Sequence, residues 1–263
     1  MSDWKPALYL SFEKERTQPS IDLAARIDAE NPRRVLDIGC GPGNSTQVLR
    51  RRWPGAEITG LDSSEAMLGQ ARDRYPEAKY PGIQWVRADA TGDLSHLGLF
   101  DIVFSNAAIQ WMPDHGRLLP GFFALLAPGG VLAVQVPCTK HMSLHGDLLG
   151  LAASPKWAAA FAALGPVHFV HEAAYYYDIL SALSPDLALW QTEYYHVLED
   201  HGAMVRWYSG TGLRPYLDCL AEESARADFL RDYEALLKAS YRVRKNGKVL
   251  LPFTRIFFMI KKA

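Results

Sequence analysis

The chemistry legible in this chain starts from one aspartate and three glycines. Residues 35–43 read V-L-D-I-G-C-G-P-G, with Asp37 near the end of a short apolar run and Gly39, Gly41 and Gly43 at alternating positions. A residue without a Cβ lets the backbone turn tightly and lets a ligand lie directly against it. Spacing separates the uses such a loop can have. A dinucleotide loop reads G-x-G-x-x-G, but here Gly43 falls two places after Gly41 and the sixth motif position is Asn44. A phosphate-binding P-loop needs a lysine after its glycines, and none follows these. What remains is G-x-G-x-G behind an acid. Further along, two more acids close apolar runs, Asp62 in E-I-T-G-L-D and Asp89 in I-Q-W-V-R-A-D, and Asn106 follows F-D-I-V-F-S.

These residues need elements to hold them. Residues 20–29 are amphipathic, with Ile21, Leu23, Ala24 and Ile27 at helical spacing, and Asn31 and Pro32 break the run. The apolar start of 35–43 reads as a buried parallel strand, and Asn44, Ser45 and Thr46 as the capped start of a helix to about Trp53. Further strands are expected at 57–62, 83–89, 100–105 and 131–136. Helices fall between them, one opening at Ser63 and Ser64 and carrying Met67, Leu68 and Ala71, another over 117–127. Repeated β-α units imply a parallel sheet with helices on both faces and right-handed crossovers. Later the pattern loosens: helical cover over 138–171, a helix at 175–183, a strand at 187–198, helix again over 201–243 with a break at 210–215, and a last strand at 254–260. The expected fold is α/β, a Rossmann-like, mostly parallel seven-stranded sheet in one domain over 1–263. Within it, 1–30 is an N-terminal lid segment, 31–137 the cofactor-binding core, and 138–171 and 201–246 are helical lid insertions after strands five and six.

Composition narrows the class. The 263 residues are 49% hydrophobic and 22% charged with a formal net charge of -1, so no bulk positive field argues for nucleic acid or an anionic membrane surface. Cys40, Cys138 and Cys219 are scattered and form no C-x-x-C, and His141, His145, His168 and His171 follow no metal-ligand spacing. No apolar run reaches the ~20 residues of a membrane span. The expectation is a soluble cytoplasmic protein, a monomer or weak homodimer, with no metal.

An acid at the end of the first strand would repel a pyrophosphate and suits a cationic ligand carrying an ammonium and a sulfonium. V-L-D-I-G-C-G-P-G followed by I-T-G-L-D resembles the class I S-adenosylmethionine-dependent methyltransferases. That resemblance implies S-adenosyl-L-methionine as cofactor and S-adenosyl-L-homocysteine as product. It implies that Asp37 helps hold the methionine end, that Gly39 and Gly41 let the cofactor approach, and that Asp62 takes the ribose hydroxyls. Asp89 and Ala90 would lie by the adenine, with Met67 near it, and Asn106 beside the methionine part. A Met on a helix is more often core filler, and that reading of Met67 stands beside the cofactor one. Other segments resemble a narrower family, the trans-aconitate 2-methyltransferases: E-R-T-x-P-x-x-D-L at 15–23, S-N-A-A-I-Q-W-M-P-D-H at 105–115, A-Y-Y-Y-D-I-L-S at 174–181 and W-Y-S-G-T-G-L-R-P-Y-L at 207–217. This resemblance implies esterification of one carboxylate of trans-aconitate, a small tricarboxylate.

A carboxylate is already ionised at neutral pH, since its pKa lies near ~4. Transfer to it needs alignment and no general base, so no catalytic residue is expected. The acceptor's charges need arginines, whose planar fork matches carboxylate oxygens. Candidates are Arg214, Arg16 and Arg206, with Tyr9, Tyr175, Tyr176 and Trp111 as walls or donors and His115 as a polar contact. For each, a plain alternative stands: surface charge for Arg16 and Arg206, core aromatic for Tyr9 and Trp111, helix cap for His115. Three other functions stay open: methylation of another small carboxylate or of a malonyl group on a carrier protein, a non-catalytic cofactor sensor, and, disfavoured by the glycine register, a dehydrogenase.

Overall fold

The computed structural model describes residues 13–140 and 142–263. Among them the helices are α1 (Glu13–Arg26), α2 (Asn44–Arg52), α3 (Glu65–Arg74), α4 (His115–Ala124), α5 (Ser143–Ala152), α6 (Ala158–Phe161), α7 (Ala173–Ser181), α8 (His201–Ser209), α9 (Arg214–Cys219) and α10 (Glu223–Ser240). The strands are β1 (Arg34–Ile38), β2 (Glu57–Asp62), β3 (Ile83–Arg87), β4 (Phe100–Asn106), β5 (Leu126–Pro137), β6 (Leu187–Leu198) and β7 (Val249–Lys261). They form one seven-stranded sheet in the order β3-β2-β1-β4-β5-β7-β6. β1 lies between β2 and β4, parallel to both, and is apolar on both faces because both are covered. β2–β3 and β4–β5 are also parallel, while β7 runs antiparallel to β5.

Two strands outrun their sequence signal. β5 begins at Leu126, ahead of the expected 131–136, and its pairing with β4 shifts register between Phe100 and Ile102. Such an irregularity tolerates Pro128, Gly129 and Gly130. β7 begins at Val249, with Pro252 inside it. The amphipathic segment at 20–29 is the second half of α1, which starts at Glu13.

By density of internal contacts the described residues fall into two compact units. The sheet unit comprises 13–137, 168–192 and 255–263. Its helix α1 packs on α2 and β5, α3 on β2 and β3, and α4 on α7 and β5. Neighbouring residues of a strand point to opposite faces, and Phe257 and Phe258 use both. Trp190 stacks on Phe257 (5.1 Å between centroids) beneath the guanidinium of Arg26, whereas Tyr176 stacks on Phe258 (5.1 Å). Hence α1 covers one face of the sheet and α7 the other.

The helical unit comprises 138–167 and 193–254 among the described residues. Here α10 packs against α5 and α8, and α6 against α9. Phe229, fully buried, touches Trp157 (5.1 Å) and Phe161 (5.0 Å), and Phe161 touches Tyr216 (5.3 Å). Buried tyrosines need partners for their hydroxyls. Tyr233 donates to the Leu144 carbonyl (2.6 Å), the Leu144 N–H donates to the Tyr241 hydroxyl (2.8 Å), and Tyr208 meets His145 Nδ1 (2.7 Å).

Candidate active site

Because β1 to β4 are parallel, their carboxyl ends lie along one edge, which carries Asp89, Asp62, the glycine loop and Asn106 in spatial order. The chain winds from β1 outward through β2 to β3, then returns to start β4 on the other side of β1. That reversal leaves a crevice outside the strand ends, where α/β sheets bind ligands.

The loop is pinned to this edge by backbone. The N–H groups of Gly39 and Cys40 donate to the Leu61 carbonyl (2.7 and 3.0 Å). Asp62 Oδ2 accepts from Gly41 N–H (2.9 Å) and Asp62 Oδ1 from Ser64 N–H (2.9 Å), so one carboxylate ties the loop to the start of α3. Gly39 and Gly41 both have positive φ (72° and 54°), for different purposes. A Cβ on Gly39 would fall 2.2 Å from the Ala108 Cβ, whereas one on Gly41 would meet nothing within 4 Å. Gly39 lets protein close on protein, and Gly41 keeps open space beside bare backbone.

Asp37 is fully buried. Its Oδ2 accepts from the hydroxyls of Ser45 (2.7 Å) and Thr46 (2.6 Å), and its Oδ1 has no partner among the described residues. Burial pushes its pKa up to about 6, against the opposing pull of the two hydroxyls. Ser45 and Thr46, which read as caps in the sequence, therefore serve Asp37. Asp89 is exposed, with Oδ1 held by the N–H (2.9 Å) and hydroxyl (2.8 Å) of Thr91, and Ala90 beside it is buried. Met67 is buried on α3, its N–H capped by Ser64 Oγ (3.3 Å). Asn106 is half-buried at the end of β4, and its Oδ1 has no partner among the described residues. That orphaned acceptor suits an ammonium, the strand-end carboxylates suit hydroxyl donors, and the space at Gly41 admits a ligand; the residues fit S-adenosylmethionine.

The acceptor candidates scatter. Tyr9 lies outside the described residues. Trp111, half-buried in a 3-10 turn (Ile109–Trp111), meets His168 edge-on (4.6 Å). Tyr175 stacks on His171 (3.8 Å). His115 and Tyr176 are fully buried, and each is the other's partner (Nδ1 to hydroxyl, 3.1 Å). His115 Nε2 donates to the Ile109 carbonyl (2.8 Å), and Tyr176 accepts from His171 N–H (3.4 Å). Burial pushes the His115 pKa down, and the neutral ring braces α4 against α7. Arg16 is buried on α1. Arg206 and Arg214 belong to the helical unit. Arg206 is 61% exposed, 3.8 Å from Asp200, as a solvated surface charge is. The Arg214 side chain is only 14% exposed, at the first turn of α9 and 3.8 Å from Asp218. Two polar residues of the apolar strands β5 and β7 escaped the sequence reading, Gln135 and Arg255, both buried and hydrogen-bonded to each other (3.1 Å).

A glycine loop at the switch point of this strand order, with β7 antiparallel beside β5, defines a class I methyltransferase. The family model described as "Methyltransferase domain" matches residues 35–130. In solved structures the fold resembles the YcgJ protein of Bacillus subtilis (TM-score 0.61, 15% identity, 93% of this chain and 98% of that one). It also resembles a Haemonchus contortus phosphoethanolamine N-methyltransferase 2 in complex with S-adenosylhomocysteine (TM-score 0.58, 17% identity, 94% of this chain and 53% of that one). Two curated relatives, each named trans-aconitate 2-methyltransferase, match end to end. One, from Methylobacterium radiotolerans, is 44% identical over all of both chains; one from Escherichia coli is 41% identical over 100% of this chain and 99% of its own. The chain belongs to the trans-aconitate 2-methyltransferase family.

Proposed function

We propose that this chain transfers a methyl group from S-adenosylmethionine to one carboxylate of trans-aconitate, giving the monomethyl ester and S-adenosylhomocysteine. The observation that carries this reading is the extent of the match. The general domain model stops at residue 130, whereas 44% identity to a relative named for this activity covers the whole chain, including the helical unit.

S-adenosylmethionine supplies a methyl group on a positively charged sulfur. The chain's part is to bind and align. Asp62 offers its carboxylate to the ribose while its bonds to Gly41 and Ser64 hold it in place. Asn106 Oδ1 accepts from the methionine ammonium, and Asp37, locked by Ser45 and Thr46, contributes negative charge behind the loop. Asp89 and Ala90 frame the adenine, with Met67 beside it. The acceptor carboxylate attacks as it arrives, without proton transfer. We assign acceptor binding to Arg214, Arg16 and Trp111, with Tyr9 as a wall, and acceptor selection to the lid insertions 138–171 and 201–246. Arg206, His115 and Tyr176 receive no acceptor contact. An arginine forked on the reacting carboxylate would weaken its nucleophilicity, so these arginines hold the carboxylates that are not methylated. The few, scattered cysteines suit a reducing cytoplasm, and we assign the chain there as a monomer or weak homodimer.

Turnover with methyl-labelled S-adenosylmethionine tests the reading, with trans-aconitate, cis-aconitate, isocitrate and a malonyl carrier protein offered in parallel. Base-labile label is expected on trans-aconitate; label confined to another acceptor would defeat the substrate assignment. Arg214→Ala is expected to lower kcat/KM for trans-aconitate about 10–100-fold, the worth of a charge-assisted hydrogen bond. Its affinity for S-adenosylhomocysteine, measured by calorimetry, should stay unchanged.

A further inference from the structure

Gln135 and Arg255 have no part in the scheme above, yet they lie beside Asn106 at the carboxyl edge of the sheet. Gln135 is the register partner of Asn106 on the adjacent strand, so the two side chains share a face at the carboxyl edge of the sheet. Arg255 lies two residues before Phe257, the register partner of Gln135 on β7, and so shares that face as well. Both are almost wholly buried, 0% and 3% exposed. This is the face covered by α1, the helix on which Arg16 is buried.

The amide of Gln135 has a fixed sense. A guanidinium only donates, so the bond from Arg255 Nη1 (3.1 Å) identifies the bonded atom as Oε1 and turns Nε2 away. Nε2 is then a buried donor, and it has no partner among the described residues. Buried polar groups without a partner are rare and point to a missing one. Beside it, Asn106 Oδ1 is an acceptor without a partner among the described residues. The two orphans make opposite demands: Asn106 needs a donor and Gln135 needs an acceptor. The ammonium of the cofactor answers the first. The second, next to a permanent cation, calls for an anionic oxygen.

We propose that Gln135 and Arg255 form the subsite for a carboxylate of the acceptor other than the one methylated. This rests on the function proposed above and adds two specificity-determining residues from the sheet unit itself. A neutral amide donor and a guanidinium on neighbouring strands take the two oxygens of one carboxylate.

The test deletes carboxylates from the acceptor and donors from the protein. Initial rates are measured with trans-aconitate and with the dicarboxylates lacking each of its carboxyl groups in turn, glutaconate, itaconate and methylfumarate. The proteins are the full chain and its Gln135→Met and Arg255→Lys variants. For the dicarboxylate that lacks the gripped group, the wild-type preference for trans-aconitate should shrink at least tenfold in both variants, through a raised KM for trans-aconitate. Affinity for S-adenosylhomocysteine should not change. If Arg255→Lys does not fold, the nearly isosteric, uncharged Gln135→Met carries the test alone. Preferences unchanged in the folded variants would make the pair a structural brace and overturn the proposal. Loss of S-adenosylhomocysteine affinity with preferences intact would overturn it too, because the carboxylate would then be the cofactor's own. No transfer by wild type to any of these acids would instead defeat the functional reading itself.

Discussion

The carboxyl edge of the sheet and the core of the helical unit both bury polar groups, but they hold them by different means. At the edge the holding is done by backbone. Leu61 takes two loop N–H groups, and Asp62 takes two more, from the glycine loop and from the start of α3. In the helical unit side-chain hydroxyls reach across the packing, Tyr233 and Tyr241 to Leu144 and Tyr208 to His145. The first arrangement depends on where a Cβ is absent, the second on volume that must be filled. An added methyl should therefore be the worst perturbation at the edge, and a lost ring the worst in the helical unit.

Four pairs of measurements sharpen or break that contrast. Gly39→Ala should do most damage: overpacking against Ala108 costs about 1–3 kcal/mol and the left-handed backbone about 1–2 more, and S-adenosylhomocysteine binding should vanish. Gly41→Ala is its control, keeping only the backbone cost of about 1–2 kcal/mol while still weakening binding at least tenfold. If urea melts and calorimetry make the two alike, the distinction between closed and open space at the two glycines fails. Next, Phe229→Ala should cost about 3 kcal/mol or more and leave the affinity of the folded fraction for S-adenosylhomocysteine as it was; reduced affinity would show that the cofactor edge depends on this core.

A pH effect of smaller size comes from Asp37. Its folded pKa, about 6, stands above the ordinary 3.8. Between these values the folded protein keeps a proton that the unfolded chain has released. Stability from this residue is therefore highest at low pH and falls as pH rises through that window, by about 2–3 kcal/mol. Asp37→Asn should remove that slope in melts from pH 4 to 7; a parallel slope in the variant would assign it elsewhere. Last, Arg206→Ala should change stability by less than about 0.5 kcal/mol, as expected of an exposed charge, and kcat/KM by less than twofold. A tenfold loss would return Arg206 to the acceptor.

Much of the edge was readable from the sequence because glycine spacing and strand-end acids are local signals. Gly39, Gly41, Asp62 and Asn106 fall on one edge as the β-α order requires. The extent of β6 was also readable, from an apolar pattern that alternates in part over 187–198. What escaped depends on neighbours distant in the chain. Ser45 and Thr46 resemble any capped helix start until Asp37 is seen beneath them. The bond between His115 and Tyr176 left no mark either, because a ring buried against another and a ring facing solvent have the same letter. Gln135 and Arg255 did leave a trace, as polar residues interrupting V-L-A-V-Q-V and T-R-I-F-F-M-I.

The strand order sets a timetable for synthesis. β7 lies between β5 and β6 in the sheet, yet it follows β6 in the chain. As the polypeptide leaves the ribosome, β1 to β5 can assemble with their glycine loop, but β6 emerges with its place at the sheet missing. Its outward residues Tyr195 and Val197, exposed even in the finished protein, then sit on a strand with no neighbour for as long as translation of the following 50 residues, from 199 to 248, takes. An unpaired strand edge is where nascent chains stick to one another, and the chain order exposes one for the whole of this interval.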